Sequence, residues 1–190
     1  MPSFRRRSGG FLLLLLTVTT MGLTVTVAHP QPVAAALVLE PDSIGTTQMD
    51  RSQPSRPTIR TILTEAALRH HLDPNLVMGL AYWESGWDQS QVSSDGAVGL
   101  MQVEPPTAGE AGPALLGRSV NLDDPYDNAD VGAAILRQNL DGFHDMTLAL
   151  AAYYEGPNAL RANGMTPDAQ QYVDGILAIA GRMAAGKDPA

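Results

Sequence analysis

One acid within an otherwise apolar helix constrains this chain more than any other feature of its sequence. Residues 80–87 read Leu-Ala-Tyr-Trp-Glu-Ser-Gly-Trp, and Glu84 is their only charged member. Upstream, Asp73 and Pro74 are typical of a helix start, as N-cap and first helical residue. Gly86 is typical of a helix end. The sequence therefore predicts a short helix that ends just after Glu84.

Within this helix, Glu84 shares a face with apolar side chains. Val77, Leu80 and Ala81 precede it by seven, four and three residues. Burial and the negative end of the helix dipole both disfavour a carboxylate, so the pattern predicts a raised pKa for Glu84. A general acid needs that property near neutral pH. An ordinary glutamate at a helix end fits the same pattern, and the residues alone leave both interpretations open.

The N-terminus has the pattern of a secretory signal. Three arginines at positions 5–7 precede an uncharged, largely apolar run over residues 11–28. Small residues offer cleavage sites after Ala28 and after Ala36, and the sequence does not choose between them. At about 18 residues the run is also long enough to remain as a membrane anchor. We therefore expect export, with residues 1–36 as signal peptide or N-terminal anchor.

Charge and composition exclude several classes of partner. The chain carries a formal charge of −8, and loss of the leader removes three arginines and no acid, which leaves −11. This charge argues against nucleic acid, and membrane contact is expected only through the N-terminal segment. The chain has no cysteine, and its four histidines form no zinc motif. We expect no metal and no cofactor.

Periodicity predicts one mainly α domain. Residues 37–57 are rich in proline and polar side chains and indicate a flexible, disordered linker. Apolar residues recur at helical spacing from Thr58, the expected first N-cap, and no useful run alternates with period two. The domain is predicted over residues 58–185, with residues 186–190 as a tail. Further helices are predicted from Pro105 or Pro106 through Ala111, from Asp123-Asp124-Pro125 onward, from Asp145 through Tyr154 with Gly156-Pro157 as its stop, and from Thr166 to about Ala184.

Two further blocks have compositions that suit a sugar ligand. Residues 96–102 read Gly-Ala-Val-Gly-Leu-Met-Gln, and residues 151–157 read Ala-Ala-Tyr-Tyr-Glu-Gly-Pro. Glycine lets backbone approach a ligand, while amides and aromatic hydroxyls bind sugar faces and hydroxyl groups. Together with Glu84 and Ser85, these blocks resemble the catalytic domain of soluble lytic transglycosylases, lysozyme-like enzymes that cleave the glycan of bacterial peptidoglycan. The resemblance covers roughly residues 59–183.

The resemblance implies a lysozyme-like multi-helix domain with a substrate cleft. It implies cleavage of the β-1,4 bond between N-acetylmuramic acid and N-acetylglucosamine, with 1,6-anhydro-muramoyl ends and Glu84 as general acid and then base. The expected partner is the peptidoglycan glycan strand, bound by a monomer that is secreted or lies in the cell envelope. The substrate-binding residues that it implies are Ser93, Met101, Gln102, Tyr153, Tyr154 and Tyr172.

Tyr154 and Glu155 depart from the pattern that the family usually shows, which has Asn and Ala at these positions. Two alternatives therefore stay open. One is a hydrolytic muramidase of the goose type, which needs a second carboxylate to hold a water. The other is a non-catalytic glycan-binding or scaffolding module. The candidate second carboxylates are Asp88, Asp95, Glu104 and Glu155.

Overall fold

The computed structural model describes residues 53–189, and this part of the chain is almost entirely helical. It contains seven α-helices and one π-helical turn but no strand, which confirms the predicted mainly α class. None of these helices within residues 53–189 is both long and apolar enough to cross a bilayer. The helices are α1 (Arg56–Arg69), α2 (Pro74–Ser85), α3 (Pro105–Ala111), α4 (Pro125–Phe143), α5 (Met146–Glu155), α6 (Pro157–Asn163) and α7 (Pro167–Ala184), and the π-helical turn spans Gly112–Leu116.

Polar side chains start most helices where the sequence predicts them. Asp73 caps α2, with its carboxylate accepting from the Asn75 amide at 2.9 Å. Asp124, Asp145 and Thr166 cap α4, α5 and α7 in the same way. Gly86 ends α2 with φ 66°, a left-handed conformation that glycine adopts without a steric cost. These caps place Glu84 in the last turn of α2, as predicted.

The first helix begins earlier than predicted. Thr58 is not its N-cap, because α1 starts at Arg56 and Ser55 Oγ accepts from the Thr58 amide at 3.4 Å. Pro57 fits the first turn, where the missing N–H leaves no bond unmade. The predicted end of the linker after residue 57 thus falls inside α1. Residues 1–52, with the predicted leader and most of the linker, lie outside the described part of the chain.

The residues just before α1 pack against the turn that follows Glu84. Gln53 Nε2 donates to the Trp87 carbonyl at 2.5 Å, and Gln53 Oε1 accepts from the Gln89 amide at 2.8 Å. The Arg56 guanidinium lies 5.7 Å from the centre of the buried Trp87 ring. The last few residues of the predicted linker therefore belong structurally to the domain.

Two helical segments are absent from the sequence prediction. Gly156 ends α5 with φ 82°, and Pro157 immediately starts α6. The Gly-Pro pair, which the sequence indicates as a stop, is therefore also a start, since proline suits the first turn of a helix. The π-helical turn continues α3 past its predicted end at Ala111 and closes at Gly117, with φ 67°.

Helix α2 is the centre of the core and packs against α1 and α7. Gly79 permits the close approach to α7, because a Cβ there would lie 3.1 Å from the Ala180 nitrogen. This close approach packs α2, which carries Glu84, directly against α7, which carries Tyr172. The largest fully buried side chains of the described chain are Ile59, Ile62, Leu63, Val77, Leu80, Leu100, Met101, Val131, Leu136, Leu150, Val173 and Ile176.

A buried carboxylate joins α1 to α4. Asp130 Oδ1 accepts from Arg69 Nη1 at 2.6 Å and contacts His70 Nε2 at 2.8 Å, while Oδ2 accepts from Arg118 Nη2 at 2.8 Å. Burial alone would raise the pKa of Asp130, but the hydrogen bonds from His70 and the two arginines outweigh it and lower the pKa. Asp130 therefore stabilises the fold mainly as a charged group.

We expect Asp130→Ala to lower the free energy of unfolding by about 3 kcal/mol. This value is near the low end for a broken buried ion pair, because the side chains of both arginines are half-exposed. The matched control on the same helix is Asp141→Ala, which removes an exposed i,i+4 pair with Arg137 and should cost about 0.5 kcal/mol. Urea denaturation measures both. Equal losses would show that the Asp130 network contributes no more than a surface pair.

Because the pKa of Asp130 is lowered, the difference in unfolding free energy between wild type and Asp130→Ala should depend on pH. Asp130 stabilises the fold fully above its ordinary pKa of 3.8, and that stabilisation is lost as pH falls through the lowered value. The gap between wild type and Asp130→Ala should therefore shrink on acidification below pH 3.8. A gap that is unchanged down to pH 2 would contradict this assignment.

Candidate active site

Glu84 contacts a tyrosine that lies 88 residues later in the chain. It is half-buried in the last turn of α2, and Tyr172 Oη donates to Glu84 Oε1 at 2.5 Å. Tyr172 lies on α7 and is 2% exposed. A short bond from a phenol to a carboxylate stabilises the charged form of the acid. The carboxyl group of Glu84 can therefore give up a proton and later take one back, with Tyr172 stabilising the carboxylate in between.

The residue after Glu84, Ser85, links α2 to the glycine-rich loop at residues 96–102. Ser85 Oγ donates to the Leu100 carbonyl at 3.0 Å and accepts from the Asp88 amide at 3.2 Å. Ser85 is buried, so these contacts take the place of contacts with water. The Glu-Ser pair thus places the acid and fixes the neighbouring loop.

Two buried amides that the sequence reasoning missed hold this loop. Asn128 Oδ1 accepts from the Met101 amide at 2.9 Å, and its Nδ2 donates to the Val98 carbonyl at 2.8 Å. Gln89 Oε1 accepts from the Leu100 amide at 3.2 Å. Gly99 is required beside them, because a Cβ there would lie 2.4 Å from Asn128 Nδ2. A polar residue next to the apolar face of α4 was the signal that could have identified Asn128.

Met101 and Gln102 lie inside the loop rather than on its surface. Met101 is 0% exposed and packs against Gly132, where a Cβ would lie 2.6 Å from that of Met101. Gln102 is 4% exposed, and its Nε2 donates to the Gly99 carbonyl at 3.0 Å. Both side chains therefore support the loop. Their direct contact with a sugar stays a prediction that this burial does not favour.

Ser93 and Tyr153 also make contacts with the backbone. Ser93 is half-buried, and its Oγ accepts from the Ala97 amide at 3.0 Å, which closes the turn before the loop. Tyr153 is buried, and its Oη donates to the Met101 carbonyl at 2.9 Å, which fastens α5 to the loop. Substrate contact by either residue stays a prediction.

Tyr154 joins the Glu84–Tyr172 pair through its ring. Its ring stacks on that of Tyr172, with centroids 4.8 Å apart and planes at 29°. Trp83 contacts Tyr172 edge-on from the other helix, at 6.2 Å and 88°. The structure thus gathers Glu84, Tyr154 and Tyr172 of the predicted site residues into one cluster, and adds Trp83 to it.

The candidate second carboxylates differ in how far they are already engaged. Asp88 Oδ1 accepts from the amide and hydroxyl of Ser90, at 2.9 and 2.6 Å. Glu155 Oε1 accepts from the amide and hydroxyl of Thr166, and its Oε2 is buried without a hydrogen-bond partner among the described residues. Asp95 is exposed in a turn. Glu104 occupies the N-cap position of α3 but makes no capping bond with its side chain.

Within residues 53–189, no three histidine, aspartate or glutamate side chains lie together as the ligands of a metal ion would. The charged cluster that joins α1 to α4 is centred on Asp130, whose oxygens bind two arginines and a histidine.

Comparisons with known proteins show which family this chain resembles. A sequence model of the transglycosylase SLT domain family matches residues 61–173, a span that contains both Glu84 and Tyr172. The chain is 42% identical over 93 residues to the transglycosylase of Enterobacteria phage PRD1, covering 49% of this chain and 33% of the relative. It is 33% identical over 112 residues to the membrane-bound lytic murein transglycosylase C of Haemophilus influenzae strain PittGG, covering 52% of this chain and 31% of the relative.

Solved structures resemble the fold of this domain. An inactive mutant of the lytic transglycosylase Slt from Pseudomonas aeruginosa superposes with a TM-score of 0.60 at 27% identity, covering 68% of this chain and 25% of that one. The soluble lytic transglycosylase SLT70 of Escherichia coli gives the same TM-score and coverage at 24% identity. The chain thus spans about a third of the length of the curated relatives and a quarter of these structures.

Proposed function

The chain belongs to the transglycosylase SLT domain family, and from that premise we propose that it is a lytic transglycosylase of peptidoglycan. The bond cleaved is the β-1,4 bond between N-acetylmuramic acid and N-acetylglucosamine. The observation that carries the proposal is the contact of Glu84 with Tyr172, which places one partly buried carboxyl group beside a phenol donor within the matched span.

In the proposed mechanism Glu84 acts twice. As an acid it protonates the leaving glycosidic oxygen, and the carbon–oxygen bond breaks. The resulting carboxylate then takes the proton from the carbon-6 hydroxyl of the muramoyl unit, whose oxygen closes the 1,6-anhydro ring. The bond from Tyr172 supports the intermediate carboxylate, because a hydrogen bond to the charged form stabilises it. Glu84 is protonated again at the end, and no water is consumed.

A single carboxyl group suffices if the substrate stabilises its own cation. The N-acetyl group of the muramoyl unit can support the positive charge at the anomeric carbon, an exception to the scheme with two carboxylates. A carboxylate beside the reacting ring is then needed only for proton transfer. Glu84 can meet that requirement without a second carboxylate.

The hydrolytic muramidase is the second candidate, and Glu104 is the observation that favours it. A muramidase needs a second carboxylate roughly 6.5 to 9.5 Å from the acid to hold the attacking water. Asp88 and Glu155 are less suited, because a backbone and a hydroxyl donor already occupy one oxygen of each carboxylate. Glu104 is half-buried at the end of the glycine-rich loop and makes no capping bond.

The proposed partner is the glycan strand of peptidoglycan, and the proposed location is outside the cytoplasmic membrane. The sequence pattern of residues 1–36 supports export. The names of the Haemophilus relatives, membrane-bound lytic murein transglycosylases, support a place in the cell envelope. Attachment through the N-terminal segment and the monomeric state stay predictions.

We expect the purified protein to release soluble muropeptides from isolated cell walls without added metal or cofactor. The assay follows the loss of turbidity and the appearance of soluble disaccharide-peptides. The assay also distinguishes the lytic transglycosylase and the muramidase from the non-catalytic module. Such a module would sediment with cell walls but release no muropeptides. Binding without release would therefore contradict the proposed function.

A further inference from the structure

The ring of Tyr172 is held from two sides, and one of the two contacts comes from Tyr154. Tyr154 stacks on Tyr172 at 4.8 Å, and the edge contact with Trp83 lies at 6.2 Å. We propose that Tyr154 is a positioning residue for Glu84 that acts through the ring of Tyr172. This inference rests on the proposed function, since it concerns the same acid.

The orientation of the Tyr172 ring controls its bond to Glu84. The phenol oxygen is at the far end of a rigid ring, so a small rotation of the side chain moves it away from the carboxylate. Hydrogen bonds weaken steeply when their distance and angle depart from the optimum. Offset-stacked and edge-to-face contacts both favour a defined ring orientation, and Tyr172 has one of each. Loss of the Tyr154 ring would therefore loosen the short bond to Glu84.

A glycine of α7 makes room for the contact with Trp83. Gly175 lies three residues after Tyr172, on the same face of the helix. A Cβ at Gly175 would lie 2.0 Å from Cζ3 of Trp83, so only glycine leaves room for the indole. Trp83 is thereby fixed against the face that presents Tyr172. With Tyr154 stacked on it, the Tyr172 ring contacts one aromatic ring from α2 and one from α5, and both contacts restrict its rotation.

Glu155, the residue after Tyr154, connects α5 to the start of α7. Glu155 Oε1 accepts from both the amide and the hydroxyl of Thr166, the N-cap of α7. The carboxylate thus links the last residue of α5 to the start of the helix that carries Tyr172. A negative charge at a helix N-terminus is itself favourable. Tyr154 and Glu155, the two departures from the usual family pattern, therefore act on the same helix.

The test is a double-mutant cycle on the full chain with Tyr154→Asn, Tyr172→Phe and the double variant. We expect each single variant to lower kcat for muropeptide release about tenfold with little change in KM, the size of one hydrogen bond to a charged group. The double variant should be no slower than Tyr172→Phe. Tyr154→Phe, which keeps the ring, should retain more activity than Tyr154→Asn. The control is Tyr126→Asn, because Tyr126 is 54% exposed at the start of α4.

Losses that multiply in the double variant would overturn the inference, and so would a raised KM with unchanged kcat, which would make Tyr154 a substrate contact. If Tyr154→Asn does not fold, Tyr154→Leu compared with Tyr154→Phe replaces it, since leucine keeps apolar volume without a ring. These outcomes presuppose an active wild type. A wild type that releases nothing would instead contradict the proposed function.

A second measurement keeps the inference testable in that case. The ¹³C chemical shift of the Glu84 carboxyl group reports its bond to Tyr172 in the resting protein. Tyr172→Phe should move this signal, Tyr154→Asn should move it in the same direction, and Tyr154→Asn should add nothing in the Tyr172→Phe background. A Glu84 signal that ignores Tyr154→Asn would overturn the positioning role whether or not the protein is an enzyme.

Discussion

Glu84→Gln should abolish glycan cleavage while the fold stays intact. Glutamine keeps the size of the side chain, and its amide oxygen can still accept the bond from Tyr172. It has no transferable proton. Loss of a general acid commonly costs about 10² to 10⁴ in rate. The loss should lie at or beyond the upper end here, because in our mechanism the same group is also the base. Release of muropeptides from cell walls measures it.

The control for this variant is Glu65→Gln, which makes the same change at an exposed position of α1. It should release muropeptides at the wild-type rate. Both variants should melt cooperatively near the wild-type temperature, which would separate lost chemistry from lost structure. Cleavage by Glu84→Gln at a rate close to that of wild type would show that another residue is the acid.

The sequence predicted the helical frame well because its signals are local. Asp73 and Gly86 bound α2 through contacts with residues close in the chain, and such capping patterns can be read directly. The predicted start of α1 was wrong because Ser55 and Thr58, three residues apart, are both suitable N-caps, and Ser55 occupies that position. Helix α6 was missed because Gly156 and Pro157 resemble a terminator.

The contacts within the site could not be predicted in the same way. The bond from Tyr172 to Glu84 joins residues 88 apart, and periodicity carries no information about which distant side chains meet. Their shared role was expected only from the family resemblance. The burial of Gln102 also follows from long-range packing, since the loop folds around its amide. Asn128 was overlooked because one polar residue on a helix normally faces solvent.

The position of Glu155 illustrates how a departure from a family pattern can be structural. From the sequence, a carboxylate beside the aromatic pair is a candidate for holding the water of a muramidase. In the structure one of its oxygens accepts two bonds from Thr166, and the other is buried. A carboxylate with this environment is better suited to fixing α7 than to orienting a mobile water. Glu104 thus becomes the stronger candidate for the muramidase alternative.

The fate of the glycan end distinguishes the proposed enzyme from that alternative. Glu84 can move one proton out and back, and the carbon-6 hydroxyl is already tethered to the reacting ring. Well-oriented intramolecular attack can reach effective molarities of about 10⁵ M or more. Ring closure should therefore outcompete attack by water, unless a second carboxylate holds the water in place.

Mass spectrometry of the disaccharide-peptides released from purified cell walls measures this fate directly. The account predicts that most products carry anhydro-muramoyl ends, lighter by one water than the hydrolytic products. Incubation in H₂¹⁸O provides the control, since a transglycosylase incorporates no heavy oxygen into the new end. Mostly reducing ends that carry ¹⁸O would contradict the account and would support the muramidase alternative, for which Glu104 is the stronger candidate second carboxylate.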